Sequence, residues 1–192
     1  WIPWVSGGAL IGAAIAGMVS MGVLGVVYAI CVGVVAAQMG LPVERLIVAT
    51  NVNDILHRAL SAGDYSAGQV TPTAAPSMDI QVSSNFERLL FDCGGRDGAA
   101  LAEQMRAFEA SKAMRLTNAQ REGAAALLVS CRADANEMSQ AMAWAAAECG
   151  EILDPHTAIG LHAARAAELP REVPIVTLAT AHPAKFPDAV ER

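Results

Sequence analysis

The sequence has few aromatic residues and no cluster of basic ones. Aromatic side chains make up 5% of its 192 residues, and 13 Lys and Arg against 19 Asp and Glu give a formal net charge of -6. A nucleic-acid surface needs clustered Lys and Arg against the phosphates, so the composition argues against one. The length suits one ordinary domain with its own core, or a piece of a larger one.

Cysteine and histidine are sparse and dispersed. The four cysteines are Cys31, Cys93, Cys131 and Cys149, with no Cys-x-x-Cys pair and no histidine at metal-ligand spacing. This pattern predicts neither a zinc site nor a disulfide framework, and favours reduced, buried thiols. Cys149 precedes His156 by a few residues, but no nucleophile motif surrounds the pair. We therefore predict no metal and no Cys/His catalytic site.

Charge is absent from the first part of the chain. No charged residue occurs in Trp1 to Val43, whereas the chain from Glu44 onward has the mixed composition of a soluble domain. This change in composition predicts that the chain has two parts, with the boundary between Val43 and Glu44. The apolar run from Val5 to Val35 is longer than the roughly 20 residues that span a bilayer, and Gly8 and Gly12 have the spacing of a close helix contact. A membrane helix is one interpretation.

A second interpretation of the uncharged segment is a buried strand, a glycine-rich turn and a buried helix. The segment has many glycines, and it lacks the flanking Lys or Arg residues that orient membrane helices and signal peptides. Elements of an α/β protein that are covered on both faces also read as continuous apolar runs. Under this interpretation Val19 to Val26 holds the end of the strand and the turn, and Val27 to Met39 forms the helix.

After Pro42 the pattern becomes that of an alternating α/β chain. The β-branched run Arg45 to Thr50 predicts a strand, and Val52 to Ala62 has helical periodicity that ends at Gly63. The turn-rich stretch Gly63 to Ser77 predicts an exposed loop. The elements predicted further along are helices at Asn85 to Phe91, at Asp97 to Ala110, from Thr117, from Asp134 and at His156 to Glu168, then a buried strand Val173 to Ala179 and a short helix from Ala184.

Capping residues mark several of the helix starts. Thr117 is followed three positions later by Gln120, and Asp134 by Glu137, which is the spacing of a capping box. Asp154 followed by proline predicts an N-cap with proline in the first turn.

The alternation of strands and helices predicts an α/β fold, with a partial parallel sheet and helices on both faces. Ligands of such sheets bind at the carboxyl ends of the strands. Thr50-Asn51 after one strand and residues 180–182 (TAH) after the last are polar just where the apolar runs stop, so we expect the functional site there. Asn51, Asn53 and Asp54 are expected to cap the helix that follows the first of these strands.

Four stretches resemble threonine synthases, in the order in which that family has them. They are ATNVNDIL (Ala49 to Leu56), PSMDIQVSSNFERLLFD (Pro76 to Asp92), DPHTAIG (Asp154 to Gly160) and LATAHPAKFPDAV (Leu178 to Val190). The resemblance covers about Gly40 to the C-terminus and makes residues 44–192 similar to the C-terminal α/β region of that family. It implies a cytoplasmic fold type II pyridoxal-phosphate enzyme that makes L-threonine and phosphate from O-phospho-L-homoserine and water.

The resemblance also implies where the cofactor binds. The family's turn of the type TGNFGD, whose backbone N–H groups hold the cofactor phosphate at a helix N-terminus, falls on MGVLGV in this sequence. The cofactor-binding positions are therefore Gly22, Val23, Leu24 and Gly25, and Thr180 resembles the residue that faces the pyridine nitrogen. Both glycines are kept, but the polar side chains of the turn are replaced by apolar ones, which predicts weak cofactor binding. A frameshifted or degenerate gene is one explanation, and a diverged segment is the other.

The lysine that binds the cofactor in the family has no counterpart in the matching stretches. It belongs to an N-terminal region, and Lys112 and Lys185, the two lysines here, lie in unrelated contexts. We assign no catalytic residue, and we expect the missing N-terminal region of the enzyme as the partner, with no nucleic acid and no membrane. The chain alone is expected to be inactive. A non-enzymatic degenerate fragment and a membrane-anchored α/β domain are the alternatives.

Several residues of the matching stretches are candidates for binding the substrate. Asn85 and Arg88 suit a carboxylate or phosphate, since arginine recognises such groups in a bidentate manner. Glu87 cannot share a helix face with its neighbour Arg88, so one of the two is a solvated or structural charge. His156 either contacts the substrate or satisfies backbone groups in a first helical turn. His182 likewise either contacts the substrate or turns the backbone.

The two parts of the implied cofactor site should lie close together. The turn within Met21 to Tyr28 should lead into a helix packed beside the strand Arg45 to Thr50, because its two glycines permit a tight turn. Thr180 should lie within a side chain's reach of residues 22–25, since both belong to the carboxyl edge of a parallel sheet. Its alternative role is to cap the turn after the last strand.

Overall fold

Strands and helices alternate along the chain, as a computed structural model shows for residues 11–16, 33–84, 86–169, 172–179 and 181–191. In chain order the elements are β1 (Ile11–Ala16), α1 (33–38), β2 (Val43–Thr50), α2 (Ile55–Ala62), α3 (Phe86–Cys93), α4 (Gly98–Ser111), α5 (Asn118–Ala125), β3 (Leu128–Arg132), α6 (Ala135–Trp144), α7 (Pro155–Ala166), β4 (Ile175–Thr177) and α8 (Pro187–Val190). Short 3-10 turns occur at Pro76–Met78 and Pro183–Lys185, and α6 continues into a π-helical turn at Ala145–Cys149.

The described strands form one parallel sheet in the order β3-β2-β1-β4. Ala14 of β1 pairs with Ile47 of β2 on one side and with Thr177 of β4 on the other, and Val48 of β2 pairs with Ser130 of β3. Because all pairs are parallel, the four strands end at the same edge, which we call the carboxyl edge. The predicted α/β class with a partial parallel sheet is confirmed.

Strand β2 divides the interior into two cores because its side chains alternate between the faces of the sheet. Leu46 and Val48 pack in one core with buried residues of α2, α3, α4 and α5. Ile47 and Ala49 pack in the other with buried residues of α6 and α7. Helices therefore cover both faces of this strand, which explains why it reads as a continuous apolar run.

The residues that the sequence predicts as helix caps lie at the N-cap positions of helices in the structure. Thr117 accepts a hydrogen bond from the backbone N–H of Gln120 at 3.2 Å, and the Gln120 side chain accepts one from the backbone N–H of Thr117 at 3.0 Å. Asp134 and Glu137 make the same reciprocal pair at the start of α6. Asp154 caps α7 with proline in the first turn. These starts are local in origin, which is why the sequence predicts them.

The strands depart from the sequence prediction in two places. β3 was not predicted, because LVSCR follows an alanine-rich helix and reads as its continuation. β4 was predicted as buried, but Ile175 is 37% and Val176 46% exposed, so that prediction is wrong. Successive side chains point to opposite faces of a sheet, so both faces of β4 are partly exposed in this structure.

Residues 11–16 form a strand, so the chain from Gly8 to Gln38 is not one continuous helix, which would have favoured the membrane interpretation. None of the helices in the described residues has both the length and the apolar character needed to cross a bilayer. Residues 33–38 are helical, within the predicted helix Val27 to Met39, and the earlier part of that helix lies outside the described residues.

The stretch Gly63 to Ser77 is irregular, as predicted, but it is not uniformly exposed. Tyr65 is buried, and its ring lies 4.8 Å from that of Phe86 and 5.0 Å from that of Phe108, measured between centroids. Its hydroxyl accepts a hydrogen bond from the Ser83 N–H at 2.8 Å and donates to the Ser83 carbonyl at 3.3 Å. The stretch is therefore a packed loop, held to the first core by an aromatic anchor.

Candidate functional site

The carboxyl edge of the sheet gathers the ends of all four described strands. β1 ends at Ala16, β2 at Thr50, β3 at Arg132 and β4 at Thr177. β1 pairs with both β2 and β4, so its carboxyl end lies between the carboxyl ends of these two strands. A crevice outside the carboxyl ends of parallel strands is where ligands bind in open α/β sheets.

Asp79 organises the polar residues that follow β2. Its Oδ1 atom accepts hydrogen bonds from the side-chain amides of Asn51 at 2.7 Å and Asn53 at 2.9 Å, and from the Thr73 hydroxyl at 2.7 Å. Its Oδ2 atom accepts the Thr73 backbone N–H at 2.8 Å. Asn53 also exchanges two hydrogen bonds of 2.8 Å with the backbone of Thr71. We call these five residues the Asp79 network, and it fixes the loop 71–79 to the end of β2.

The expected capping of α2 by Asn51, Asn53 and Asp54 is therefore wrong. The two asparagines turn toward the loop, because Asp79 offers a charged acceptor. Asp54 occupies the N-cap position but makes no side-chain cap hydrogen bond. Its carboxylate instead contacts Arg58 at 3.0 Å and Arg132 at 3.6 Å.

His156 is the second centre of contacts, and it is completely buried. Its Nδ1 atom lies 2.9 Å from Asp154 Oδ1, and its Nε2 atom lies 3.4 Å from the backbone nitrogen of Ser77. Its ring centroid lies 4.8 Å from that of Phe186. The ring thus touches the start of α7, the 3-10 turn Pro76–Met78 and the C-terminal segment.

The charged partner of His156 is itself enclosed. Burial disfavours the charged form of Asp154, but hydrogen bonds from His156 and Thr157 outweigh this effect, so the pKa of Asp154 lies below its ordinary value. Its Oδ1 atom also accepts the backbone N–H groups of His156 at 2.9 Å and Thr157 at 3.3 Å. The Thr157 hydroxyl donates to its Oδ2 atom. A buried carboxylate with several donors is a fixed anchor for the first turn of α7.

The other predicted site residues divide into described and undescribed positions. Gly22, Val23, Leu24, Gly25, Thr180 and Asn85 lie outside the described residues, as do the predicted turn within Met21 to Tyr28 and its distance from Thr180. Arg88 and Glu87 are both exposed on α3. His182 is exposed, and its Nδ1 atom accepts the Ala184 N–H at 3.2 Å, so it caps the turn Pro183–Lys185.

Neither lysine of the chain is buried. Lys112 is exposed and ends α4 in the left-handed conformation, with φ of 57°. Lys185 is exposed in the 3-10 turn after β4. Among the described residues there is also no group of three or more His, Cys, Asp or Glu side chains arranged to hold a metal ion.

Two cavities adjoin the described core. A void of about 20 Å³ lies at the end of β2, between Thr50, Asn53 and the first turn of α2. The Thr50 hydroxyl is buried there and has no hydrogen-bond partner within the described part of the chain. A larger cleft of about 400 Å³ lies between α3, α4 and residues 115–120, and neither Arg88 nor His156 lines it.

Sequence reasoning missed Asp79, Ser77 and Thr73 as members of the site. A usable signal was present, because Ser77 and Asp79 belong to the second of the four stretches singled out above. What the sequence does not show is the distance in space between this stretch and Asn51, or between it and His156.

Known proteins similar to this chain are threonine synthases. A family model described as "Threonine synthase, C-terminal" matches residues 157–192. Threonine synthase of Pseudomonas aeruginosa is 50% identical over 160 residues, which cover 83% of this chain and 34% of the relative. Among solved structures, PLP-bound threonine synthase from Brucella melitensis is 41% identical with a TM-score of 0.85, over 95% of this chain and 38% of that one. The yeast enzyme is 33% identical with a TM-score of 0.83, over 94% and 38%.

These relationships confirm the resemblance that the four sequence stretches carry, and they match the α/β fold of the described residues. The chain spans little more than a third of the length of these relatives.

Proposed function

We infer that this chain belongs to the threonine synthase family, as a counterpart of the C-terminal portion of its members, and that it contributes one side of their active site. The observation that carries this proposal is the convergence of the four family-like stretches. ATNVNDIL and PSMDIQ meet at Asp79, and PSMDIQ, DPHTAIG and AHPAKF meet at His156. Segments far apart in sequence are thus brought to the carboxyl edge, where a cofactor and a substrate would bind.

The proposed cofactor is pyridoxal phosphate, which the Brucella melitensis relative binds. Gly22, Val23, Leu24 and Gly25 would hold its phosphate through backbone N–H groups, and Thr180 would face its pyridine nitrogen. The pairing of β1 with β4 supports this arrangement, because the segments that carry these residues leave adjacent parallel strands at the same edge. When bound, this cofactor supplies an electron sink for proton abstraction next to the substrate amino group.

The proposed substrate is O-phospho-L-homoserine, with water as the second reactant and L-threonine and phosphate as products. Arg88 is exposed on α3 and is therefore available to a carboxylate or phosphate, and Asn85, three positions earlier in sequence, is the proposed polar partner. His156 is proposed to act on the substrate only indirectly, since both of its ring nitrogens already face protein atoms.

The chain is proposed to be cytoplasmic and to be inactive without a partner. A cofactor-binding lysine must be positioned in a shielded site to hold the cofactor and move protons, and both Lys112 and Lys185 are exposed. The proposed partner is therefore the N-terminal region of a threonine synthase, which would supply that lysine and complete a fold type II enzyme.

The free side of β4 is the proposed contact for that region. Ile175 and Val176 expose apolar side chains on both faces of this edge strand, so a partner must extend the sheet and cover both faces. A second copy of the chain would pair the two three-residue strands antiparallel across a two-fold axis and bury little surface.

The test combines the purified chain with the N-terminal region of the Pseudomonas aeruginosa relative. Each protein and the mixture are incubated with pyridoxal phosphate, treated with borohydride, mapped for modified lysines by mass spectrometry and assayed for phosphate release from O-phospho-L-homoserine. We expect no steady release from the chain alone and release from the mixture. Val176→Lys should weaken association at least about tenfold, which is roughly 1.4 kcal/mol. The matched control is Val129→Lys on the opposite edge strand, where the side chain is 41% exposed.

Stoichiometric labelling of one lysine in the chain alone, together with steady phosphate release, would overturn the proposal of inactivity. An equal loss of association in the Val129 and Val176 variants would remove β4 as the contact.

A further inference from the structure

His156 joins three segments that are distant in sequence. It follows the N-cap of α7, its Nε2 atom lies 3.4 Å from the Ser77 nitrogen, and its ring packs on Phe186 at 4.8 Å. All of this occurs at a position with no solvent exposure. A residue that only filled space would need no polar contacts at this position, and leucine or phenylalanine would serve better.

The hydrogen bonds fix the state of the ring. The Ser77 backbone N–H can only donate, so Nε2 of His156 must be the acceptor and carry no proton. The proton of the neutral ring is then on Nδ1, and it is donated to the Asp154 carboxylate at 2.9 Å. Asp154 thereby fixes the orientation of the His156 ring and leaves Nε2 as the acceptor for the Ser77 N–H.

The contacts continue from His156 to the end of β2. Ser77 is two residues before Asp79, within the same tight turn, in which the Asp79 N–H donates to the Pro76 carbonyl at 3.1 Å. Asp79 in turn holds Asn51 and Asn53. On the other side, Phe186 follows the turn Pro183–Lys185 in the segment after β4. His156 therefore connects the turn that holds Ser77 and Asp79 with the C-terminal segment that follows β4.

We propose that His156 is a positioning residue, which fixes the C-terminal segment 181–191 relative to the Asp79 network through its contacts with Ser77 and Phe186. The role in catalysis rests on the proposed function, because it matters only if cofactor and substrate bind at this edge. The positioning itself is a property of the chain and is tested without either of them.

The experiment is hydrogen–deuterium exchange on the full chain, followed by mass spectrometry, beside urea denaturation of each variant. His156→Asn keeps an amide donor at the place of Nδ1, but removes the acceptor at Nε2 and the ring. His156→Gln places an amide oxygen near the former Nε2 and can again accept from Ser77. Phe186→Leu removes the ring contact from the other side, at a half-buried position.

After correction for overall stability, exchange in peptides that contain Ser77 and in peptides of 183–190 should be at least about fivefold faster in His156→Asn, as expected for a lost buried hydrogen bond. His156→Gln should restore protection at Ser77 but not at 183–190, and Phe186→Leu should affect 183–190 alone. The matched control is His57→Asn, since His57 is half-buried and its Nδ1 atom lies 3.0 Å from Ser130 Oγ. It should leave both peptides unchanged.

The proposal is overturned if His156→Asn speeds exchange equally in all peptides, or if protection at Ser77 and at 183–190 does not change. If His156→Asn does not fold, Phe186→Leu decides between the same outcomes at 183–190. Pyridoxal phosphate titration of the wild-type chain with the N-terminal region is a separate measurement, and a failure there counts against the proposed function alone.

Discussion

The Asn51 side-chain amide donates to Asp79 Oδ1 at 2.7 Å, across 28 positions of sequence. This contact places the residue that follows a central strand against the end of the 3-10 turn Pro76–Met78, which is distant in sequence. The same oxygen accepts from Asn53 and Thr73, so one carboxylate determines the conformation of a whole loop.

Replacing Asp79 should destabilise the chain strongly. In Asp79→Asn the amide cannot accept from all of the four donors, and hydrogen bonds to a charged group contribute roughly 1.5 to 3 kcal/mol each. We expect a loss of about 2 to 4 kcal/mol in the free energy of unfolding, measured by urea denaturation. Asp188→Asn on α8, which removes an exposed carboxylate, is the control and should change it by less than about 0.5 kcal/mol. A similarly small effect at Asp79 would contradict the network.

Asp154 should contribute to stability against acid. Its pKa in the folded chain is below the ordinary 3.8, so the folded state favours the charged form. This contribution is complete above the unfolded-state pKa and is lost as pH falls below about 4 through the folded-state pKa. Asp154→Asn should lower stability at pH 7 and flatten the decline in stability below about pH 4. Urea midpoints across this range measure both effects, and parallel curves for the two proteins would refute the assignment.

Tyr65 should make the chain sensitive to alkali. Burial raises the pKa of its hydroxyl to about 12, from an ordinary value of 10.0. Between these two values the unfolded chain releases the proton and the folded chain retains it, so the free energy of unfolding decreases as pH rises. Tyr65→Phe should reduce this alkaline decline and lower stability at pH 7 by about 1 to 3 kcal/mol, because Ser83 loses its partner. An unchanged alkaline limb in Tyr65→Phe would show that another group titrates.

Thr50 should tolerate the loss of its hydroxyl. The buried Oγ1 atom has no partner in the described part of the chain, and an unpaired buried hydroxyl is unfavourable by about 1 to 3 kcal/mol. Thr50→Val, which keeps the shape, should therefore leave the free energy of unfolding unchanged or raise it by about 1 kcal/mol. Thr73→Val is the contrasting variant, since the Thr73 hydroxyl donates to Asp79. A clear destabilisation by Thr50→Val would mean that the hydroxyl has a partner, such as a bound water.

Local signals in the sequence predict the helices and β2 well. Thr117, Asp134 and Asp154 start helices because their side chains satisfy backbone groups two or three residues away, which depends on neighbours in sequence. The turn after α2 is equally local, since Gly63 adopts φ of 71°, which other residues reach only with strain.

Long-range contacts decide the features that the sequence did not predict. Residues Leu128–Arg132 form β3 because they pair with β2. The alanine-rich sequence before them is typical of a helix, so the strand is not evident from the sequence. Asn51 and Asn53 have the chemistry of helix caps, but a carboxylate more than 25 positions away outcompetes that role. The exposure of β4 likewise depends on which elements lie beside it in space, and the apolar sequence of the strand does not show this.

The pairing of Gly12 with Ile175 has a consequence for synthesis of the protein. β1 is made before both of its neighbours, and β4 is made only after β2, β3 and the helices between them. At 5 to 20 residues per second, roughly, the nascent chain exposes that side of β1 for about ten seconds or longer. An apolar strand that remains unpaired can aggregate or bind chaperones. The yield of folded protein during expression should therefore depend on translation speed and temperature.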